Sequence, residues 1–338
     1  MFRNDYSETA AKEVLQAILS ADGEQNIGYG EDIHTRHAAE LIKKRFALPD
    51  AEVFFLAGGT QTNMTVISYL LRPYESVICC DTGHINVHET GAVEASGHKV
   101  CTCKNEDGKL RPEDVLAVCA HHSDEHMVKP AMIYISDSTE TGTVYTKAEL
   151  LALREVCDEK RLLLFLDGAR LGVAMTSKDT DVVPAFLAEV CDVFYIGGTK
   201  NGALFGEAVV IKDKALASNF RYHIKNRGAM LAKGFVTGLQ FEALFTDDLY
   251  FRLADHSNFT AGRIRAGLKE LSVPLYGNSN TNQIFVTLPE SQAQALIDEF
   301  GCERWTETGE GTVVRIVTSF ATDPEECDAL LEFLASIL

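Results

Sequence analysis

Three features are missing from this sequence of 338 residues: a long apolar run, a surplus of basic side chains and a C-x-x-C cysteine pair. No uninterrupted apolar stretch approaches the roughly 18 residues that indicate a membrane helix. Residues 1–12 also lack the basic start and apolar centre of an export signal. We therefore expect a protein that neither spans a membrane nor is exported.

The charge of the chain is strongly negative. Asp and Glu number 49 and Lys and Arg number 31, which gives a formal net charge of −18 at pH 7. Such a field repels phosphate backbones and anionic lipid surfaces, so neither nucleic acid nor a membrane is an expected partner. A small anion remains a possible ligand, because local arginines and not the net charge set the potential inside a cleft.

The nine cysteines are an odd number, and most of them lie in apolar runs where cysteine behaves as a small hydrophobic residue. Reduced thiols in a cytoplasmic protein fit this usage. The sequence therefore predicts a cytoplasmic location.

Common ligand-binding motifs are absent as well. Residues 28–30 start like a dinucleotide loop but lack its third glycine, and Gly197–Lys200 lacks the glycine before lysine that NTPase phosphate loops have. His88 and Glu89 start like a zinc helix without its second histidine, and no G-x-S-x-G occurs. The histidine-rich loop 121–126 is interpreted as solvated surface, so no metal site is predicted.

Short β-rich runs alternate with amphipathic ones from about residue 50 to about residue 212, which predicts an α/β fold. Several runs are too apolar for half-exposed strands, as in parallel strands covered on both faces. We expect a large domain with a mostly parallel, seven-stranded sheet covered by helices. The predicted strands are Val53–Ala57, Ser76–Cys80, Lys99–Cys103, Ala131–Ser136, Leu162–Asp167, Val193–Gly197 and Ala208–Lys212. The clearest helices between them are Thr62–Leu71, Pro112–Ala120 and Lys147–Lys160.

The pattern changes after about residue 213. A helix-rich stretch runs to about Leu271 and is followed by a smaller α+β unit. Its predicted elements are a strand at Gln283–Leu288, a helix at Ser291–Phe300, a strand at Val313–Thr318 and a helix from Pro324. We place the large domain at 1–245, with its N-terminal segment partly associated with the small domain, and the small domain at 246–338.

The strongest candidate for chemistry is the strand end at Asp167, followed three residues later by Arg170. Ligands of α/β proteins bind at the carboxyl ends of parallel strands. An aspartate there could bind a metal, hold a protonated ring nitrogen, or cap the next element while paired with Arg170.

Lys200 follows the next predicted strand in a turn of glycines and apolar residues. Desolvation favours the neutral amine, which is the nucleophilic form that makes an imine. An ordinary exposed lysine is the alternative.

Two weaker signals accompany these residues. Gly58, Gly59 and Thr60 follow a strand and open a helix, where backbone amides bind phosphate, although a tight turn explains them equally well. His84 also follows a strand, where its imidazole could stack on a planar ring or have a structural role.

Together these four signals are the parts that a pyridoxal phosphate enzyme assembles: an amine for the imine, a carboxylate for the pyridinium nitrogen, an amide cradle for the phosphate and a planar residue for stacking. The sequence also resembles the threonine aldolase and β-eliminating lyase family of pyridoxal phosphate enzymes, which has the aspartate-aminotransferase-like fold. The resemblance covers nearly the whole chain. Its most specific part is the run Asp167–Arg170 and its distance from Lys200, joined by Asn4, Asp81 to His84, and Arg315.

The resemblance implies a role for each matching residue. Lys200 carries the cofactor as an imine, Asp167 keeps the ring nitrogen protonated, His84 stacks on the ring, and Gly59 and Thr60 bind the phosphate. Arg170 contacts the cofactor and, with Arg315, the α-carboxylate of the substrate, because a guanidinium pairs with a carboxylate bidentately. Asn4 stands where the family usually has a substrate-binding serine.

The resemblance further implies a homodimer or homotetramer that cleaves the Cα–Cβ bond of L-threonine, L-allo-threonine or a related β-hydroxy-α-amino acid. Glycine and an aldehyde are the products. In place of the family's usual histidine near the substrate hydroxyl, the chain has Thr139. Two alternatives therefore stay open: β-elimination from serine- or cysteine-like amino acids, and a cofactor-binding protein of this fold without turnover.

Overall fold

The computed structural model describes residues 1–338. Its main sheet contains seven strands: β1 Glu52–Leu56, β2 Glu75–Cys80, β3 Val100–Cys103, β4 Lys129–Ser136, β5 Leu163–Asp167, β6 Val193–Gly197 and β7 Glu207–Ile211. Their spatial order is β1-β7-β6-β5-β4-β2-β3. The strands from β6 to β3 run parallel, whereas β7 is antiparallel to both β1 and β6. The prediction of a mostly parallel, seven-stranded sheet is confirmed.

The central strands are apolar throughout because both faces of the sheet are covered. Successive side chains of a strand point to opposite faces. In β5, Leu164 and Leu166 enter one hydrophobic core, whereas Phe165 enters the core on the other face. The sheet therefore lies between two helical layers, and functional residues are left to its edges and strand ends.

Thirteen helices precede the second sheet. They are α1 Lys12–Ser20, α2 Ile33–Arg45, α3 Gly59–Leu70, α4 His84–Val87, α5 Ala92–Ala95, α6 Pro112–His121, α7 Lys147–Lys160, α8 Leu171–Thr176, α9 Pro184–Val190, α10 Lys214–Ala217, α11 Phe220–Asn226, α12 Phe235–Phe245 and α13 Leu249–Glu270. The start of α7 shows why the sequence forms a helix there. The Thr146 hydroxyl accepts a hydrogen bond from the Glu149 amide, and the Glu149 carboxylate accepts one from the Thr146 amide.

The second sheet is small and antiparallel. It is formed by β8 Gln283–Leu288, β9 Glu303–Thr308 and β10 Gly311–Val317 in the order β8-β10-β9, with α14 Glu290–Phe300 and α15 Pro324–Ile337. Its hydrophobic core includes residues of α13 and also Phe2. The Phe2 amide donates to the Phe300 carbonyl over 2.9 Å, and the Phe2 carbonyl accepts from the Val317 amide over 2.9 Å. The N-terminal segment is thus bound to this sheet, whereas the domain boundary at 245 and 246 stays a prediction.

Two further observations concern the whole chain. The nine cysteines form no disulfide, and eight of them are buried. None of the helices combines the length and the apolar character needed to cross a bilayer.

Candidate active site

Asp167 and Lys200 are brought together by two closely packed strand ends. Asp167 is the last residue of β5, and Lys200 follows β6 after a short turn. A Cβ atom on Gly168 would lie 2.0 Å from the Tyr195 carbonyl oxygen, and one on Gly197 would lie 2.3 Å from the Ala169 carbonyl oxygen. Both positions therefore require glycine, because any side chain would push the two strand ends apart.

A cavity of about 530 Å³ opens at this edge of the sheet. Seven of the predicted site residues line it: Gly59, Thr60, His84, Asp167, Arg170, Lys200 and Arg315. Larger surface grooves of about 830 and 870 Å³ exist elsewhere, but neither contains any of these residues. We take the smaller cavity as the candidate active site because it alone gathers the strand-end residues Asp167 and Lys200 with both arginines.

The Asp167 carboxylate lies at the base of the cavity and is 3% exposed. It accepts hydrogen bonds from the Tyr134 hydroxyl, the Tyr195 hydroxyl at 2.5 Å, the Asn63 side-chain amide at 3.0 Å and the Ala169 backbone amide at 2.9 Å. Burial alone would raise its pKa, but the charge of a protonated His84 and these donors outweigh burial and lower it. Asp167 is therefore an anion able to hold a protonated nitrogen.

Lys200 is largely enclosed by charged groups. Burial lowers the pKa of its amine, and the neighbouring Arg170 lowers it further, although the carboxylates of Asp5, Glu140 and Asp167 oppose the change. The net effect is a lowered pKa, which increases the fraction of neutral, nucleophilic amine.

Arg170 is held by Asp5, a residue to which the sequence analysis gave no role. Its Nε donates to Asp5 Oδ2 over 2.7 Å and its Nη2 donates to Asp5 Oδ1 over 3.0 Å. The side-chain amide of Asn282 donates to the same Asp5 carboxylate over 2.9 Å. Nη1 makes no hydrogen bond within the chain, so the guanidinium of Arg170 keeps a donor for a ligand carboxylate.

Arg315, on β10, reaches the cavity from the small sheet. Its guanidinium pairs with Glu303 and lies 5.2 Å from the centre of the Trp305 ring. Its Nη1 donates a hydrogen bond to Gln283 Oε1 over 3.3 Å. Glu303 and Trp305 belong to β9 and also line the cavity. The two arginines thus enter the same space from different sheets.

His84 is oriented by a buried carboxylate. Its Nδ1 lies 2.7 Å from Glu89 Oε1, which also accepts the Asn63 side-chain amide over 2.7 Å. Burial works against protonation of His84, but the Glu89 hydrogen bond and the charges of Glu140 and Asp167 raise its pKa. The His88 ring lies 5.4 Å from the His84 ring.

The start of α3 and one further acid also line the cavity. Gly59 and Thr60 form the first turn of α3, where backbone amides have no partner within the helix and attract anions. Beside them Glu207 accepts hydrogen bonds from the Thr199 hydroxyl at 2.9 Å and the Gly198 amide at 3.1 Å. Burial raises the pKa of Glu207 to about 8, so this acid is mostly protonated at neutral pH.

Two residues considered in the sequence analysis do not line the cavity. Asn4 Oδ1 accepts hydrogen bonds from the Tyr6 amide and the Ser7 hydroxyl, and its role in substrate binding stays a prediction. The Thr139 hydroxyl is bonded to Thr141 and Thr143 within a turn. The neighbouring Glu140 faces the cavity instead.

The comparisons with known proteins agree with this geometry. A family model described as β-eliminating lyase matches residues 2–291. The chain belongs to the β-eliminating lyase family. It is accordingly an enzyme, a lyase that depends on pyridoxal phosphate.

Individual members of the β-eliminating lyase family and proteins of the same fold are similar over nearly the whole chain. A low-specificity L-threonine aldolase of Pseudomonas aeruginosa is 32% identical over 327 residues, which cover 96% of this chain and 94% of that protein. The solved threonine aldolase of Leishmania major is 44% identical with a TM-score of 0.98, covering 99% of this chain and 98% of that one. A ureidoglycine–glyoxylate aminotransferase of Bacillus subtilis, at 17% identity, TM-score 0.71 and coverage of 99% and 92%, shares the fold.

The residues of the cavity fit pyridoxal phosphate. An anionic, fully buried carboxylate at Asp167 suits a protonated pyridine nitrogen, and the amine of Lys200 suits a carbonyl group. The free amides at the start of α3 suit a phosphate. The cavity thus provides an acceptor for the ring nitrogen, an amine for the carbonyl carbon and backbone donors for the phosphate.

Proposed function

We propose that this lyase cleaves the Cα–Cβ bond of L-threonine, L-allo-threonine or related β-hydroxy-α-amino acids, and releases glycine and an aldehyde. The observation that carries the proposal is the alignment with the Leishmania major threonine aldolase, at 44% identity over 99% of this chain. The cavity supplies what the reaction needs, namely an amine, an anionic carboxylate and two arginines.

Four groups of the chain would hold the cofactor. Lys200 would bind it covalently, Asp167 would keep its ring nitrogen protonated, and His84 would stack on its ring. Gly59 and Thr60 would bind its phosphate through the first turn of α3. When bound, pyridoxal phosphate takes up the electron pair that bond cleavage leaves on the substrate Cα.

Arg170 and Arg315 would orient the substrate. Two fixed guanidinium groups that bind one α-carboxylate restrict rotation of the substrate about its Cα. The orientation of the carboxylate then determines which bond of Cα lies perpendicular to the cofactor plane. Arg170 also lies close enough to Lys200 to lower the pKa of its amine. The same residue thereby favours the nucleophilic form of Lys200 and binds substrate.

The test is a product assay on purified protein given L-threonine, L-allo-threonine and phenylserine. We expect glycine and the matching aldehyde in equal amounts, and no product from Lys200→Ala. An absence of aldehyde with all three amino acids would contradict the proposal. Pyruvate and ammonia from serine, without glycine from threonine, would instead indicate β-elimination.

We also propose that the protein is a cytoplasmic homodimer or homotetramer. Nine unpaired thiols favour a reducing compartment. The 830 Å³ surface groove favours self-association, because its rim exposes large side chains such as Ile27, Tyr29 and Tyr222, which is 80% exposed.

A further inference from the structure

Glu140 is a buried carboxylate without a partner. It is 9% exposed and lines the cavity, yet its side chain makes no hydrogen bond and no ion pair within the chain. Both carboxylate oxygens of Glu140 keep some exposed surface, so its charge faces the cavity and not the protein interior. A carboxylate at a cavity wall that is bound to no other group of the chain is free to act on a ligand.

The turn that contains Glu140 is rigidly held on both sides. The Thr141 and Thr143 hydroxyls each donate to the Asp107 carbonyl oxygen over 2.8 Å. The Thr139 hydroxyl lies 2.8 Å from the Thr143 hydroxyl. The flanking threonines are therefore anchored away from the cavity, while Glu140 faces it.

The surroundings of Glu140 include the groups that we propose bind cofactor and substrate. Its negative charge acts on His84, His88, Arg170 and Lys200, all of which line the cavity. It also follows β4, whose last residue, Ser136, pairs with Asp167. Glu140 thus lines the same cavity as Asp167, Lys200 and Arg170, and its charge reaches Lys200 and Arg170.

We propose that Glu140 accepts the proton of the substrate β-hydroxyl during Cα–Cβ cleavage. This inference rests on the proposed aldolase function. The O–H bond breaks and its proton moves to a Glu140 carboxylate oxygen, while the oxygen electron pair forms the C=O bond of the aldehyde. The Cα–Cβ electron pair stays with Cα, which later receives one proton to give glycine. One proton is removed and one is added, so no further reactant is needed.

Other bases at this wall are less suited. Nδ1 of His84 is already engaged with Glu89, and the predicted role of the ring is to stack on the cofactor. Thr139 is occupied within its turn. His88 is the remaining alternative, but its side chain is exposed and no hydrogen bond fixes its ring.

The experiment compares Glu140→Gln with wild-type protein in three measurements. Pyridoxal phosphate affinity of the full-length apoprotein is measured by absorbance titration. Exchange of the glycine α-hydrogen with deuterated solvent is followed by NMR, because glycine has no β-hydroxyl. Aldehyde release from L-threonine is measured last.

We expect aldehyde release by Glu140→Gln to fall about 100- to 1000-fold, as for loss of a general base. Cofactor affinity and glycine exchange should stay within about threefold of wild type, and Glu140→Asp should recover part of the cleavage rate. Glu106→Gln, which removes an exposed carboxylate from the adjoining loop, is the matched control and should behave as wild type.

Three results would overturn the proposal. The first is a wild-type rate of aldehyde release by Glu140→Gln. The second is an equal fall of cofactor affinity, glycine exchange and aldehyde release in that variant, which would indicate a structural role. The third is loss of aldehyde release in His88→Asn but not in Glu140→Gln. Failure of the aldolase function itself looks different. In that case wild-type protein exchanges glycine but releases no aldehyde, and both proposals fall.

Discussion

At the scale of single residues, the contact between Asp5 and Arg170 determines how the cavity presents its cationic groups. The two side chains form a double hydrogen bond, and Asp5 is only 1% exposed. Burial opposes ionisation of Asp5, but the charges of Arg170 and Lys200 outweigh burial and lower its pKa. The pair is therefore ionised, and it fixes the plane of the guanidinium.

We expect Asp5→Asn to weaken substrate binding. The new side-chain amide at position 5 carries no charge, so Arg170 loses its anionic partner. Loss of a charge-assisted hydrogen bond reduces the free energy of the interaction by about 1.5–3 kcal/mol. The KM for the amino acid should rise roughly 10- to 100-fold, while kcat changes less than about threefold. Steady-state kinetics on a cleaved substrate measures both constants.

Arg3→Gln is the control for this variant, because it changes an exposed charge on the same N-terminal segment. It should leave KM unchanged. A fall in kcat with an unaltered KM in Asp5→Asn would contradict the positioning role.

Sequence reasoning finds site residues only where the local pattern marks them. Asp167 and Lys200 stand out because each follows an apolar strand. Asp5 and Glu140 carry no such mark, since their proximity to Arg170 and Lys200 depends on how distant segments pack. Only one feature of the sequence pointed toward Glu140. Thr139, the residue beside it, stands where the family usually has a histidine near the substrate hydroxyl.

At the scale of elements, the apolar strands were predicted closely and the polar one was missed. The predicted strand Val193–Gly197 and helix Lys147–Lys160 match β6 and α7. β9 went unnoticed because its sequence, ERWTET, is mostly polar and exposed. It is extended because it pairs with β10, and pairing across the chain leaves no local hydrophobic pattern.

The elements around α2 are joined by a histidine with two carboxylate partners. His34 Nε2 lies 2.8 Å from Glu24, in the loop before α2, and its Nδ1 lies 2.7 Å from Glu242 on α12. Burial lowers the pKa of His34, but the hydrogen bonds to Glu24 and Glu242 outweigh burial and raise it. This contribution to stability is complete below the unfolded pKa of about 6.5 and is lost as pH rises through the folded pKa.

We therefore expect His34→Gln to lower the melting temperature more at about pH 6 than at about pH 9. Partly exposed ion pairs contribute up to about 1 kcal/mol, which corresponds to roughly 1–3 °C for a chain of this size. Thermal unfolding at both pH values measures the difference. His126→Gln, in an exposed loop, should show no such pH dependence, and an equal loss at both pH values in His34→Gln would contradict the argument.

At the scale of the whole molecule, the expected assembly can be measured directly. Analytical ultracentrifugation should give two or four times the chain mass of 37.1 kDa. Tyr222→Glu, which adds charge at the exposed rim of the 830 Å³ groove, should shift the distribution toward smaller species. A monomer at micromolar concentration in wild-type protein would contradict the proposal of a homo-oligomer.

The global arrangement was only partly predictable. Alternating strands and helices give the class of fold, because each element must bury one face. They do not give the antiparallel direction of β7, which places Glu207 at the same edge as Lys200. The binding of the N-terminal segment to the small sheet depends on contacts across the length of the chain, such as Phe2 with Phe300.

The position of β9 has a consequence for how this enzyme could diverge. It is the edge strand of the small sheet and has one neighbour, β10, yet it carries Glu303 and Trp305 into the cavity wall. Substitutions there disturb few packing contacts, whereas Gly168 and Gly197 tolerate none. Duplicated copies of the gene would therefore acquire new substrate ranges first through substitutions in β9. The strand ends around Asp167 and Lys200 would stay unchanged.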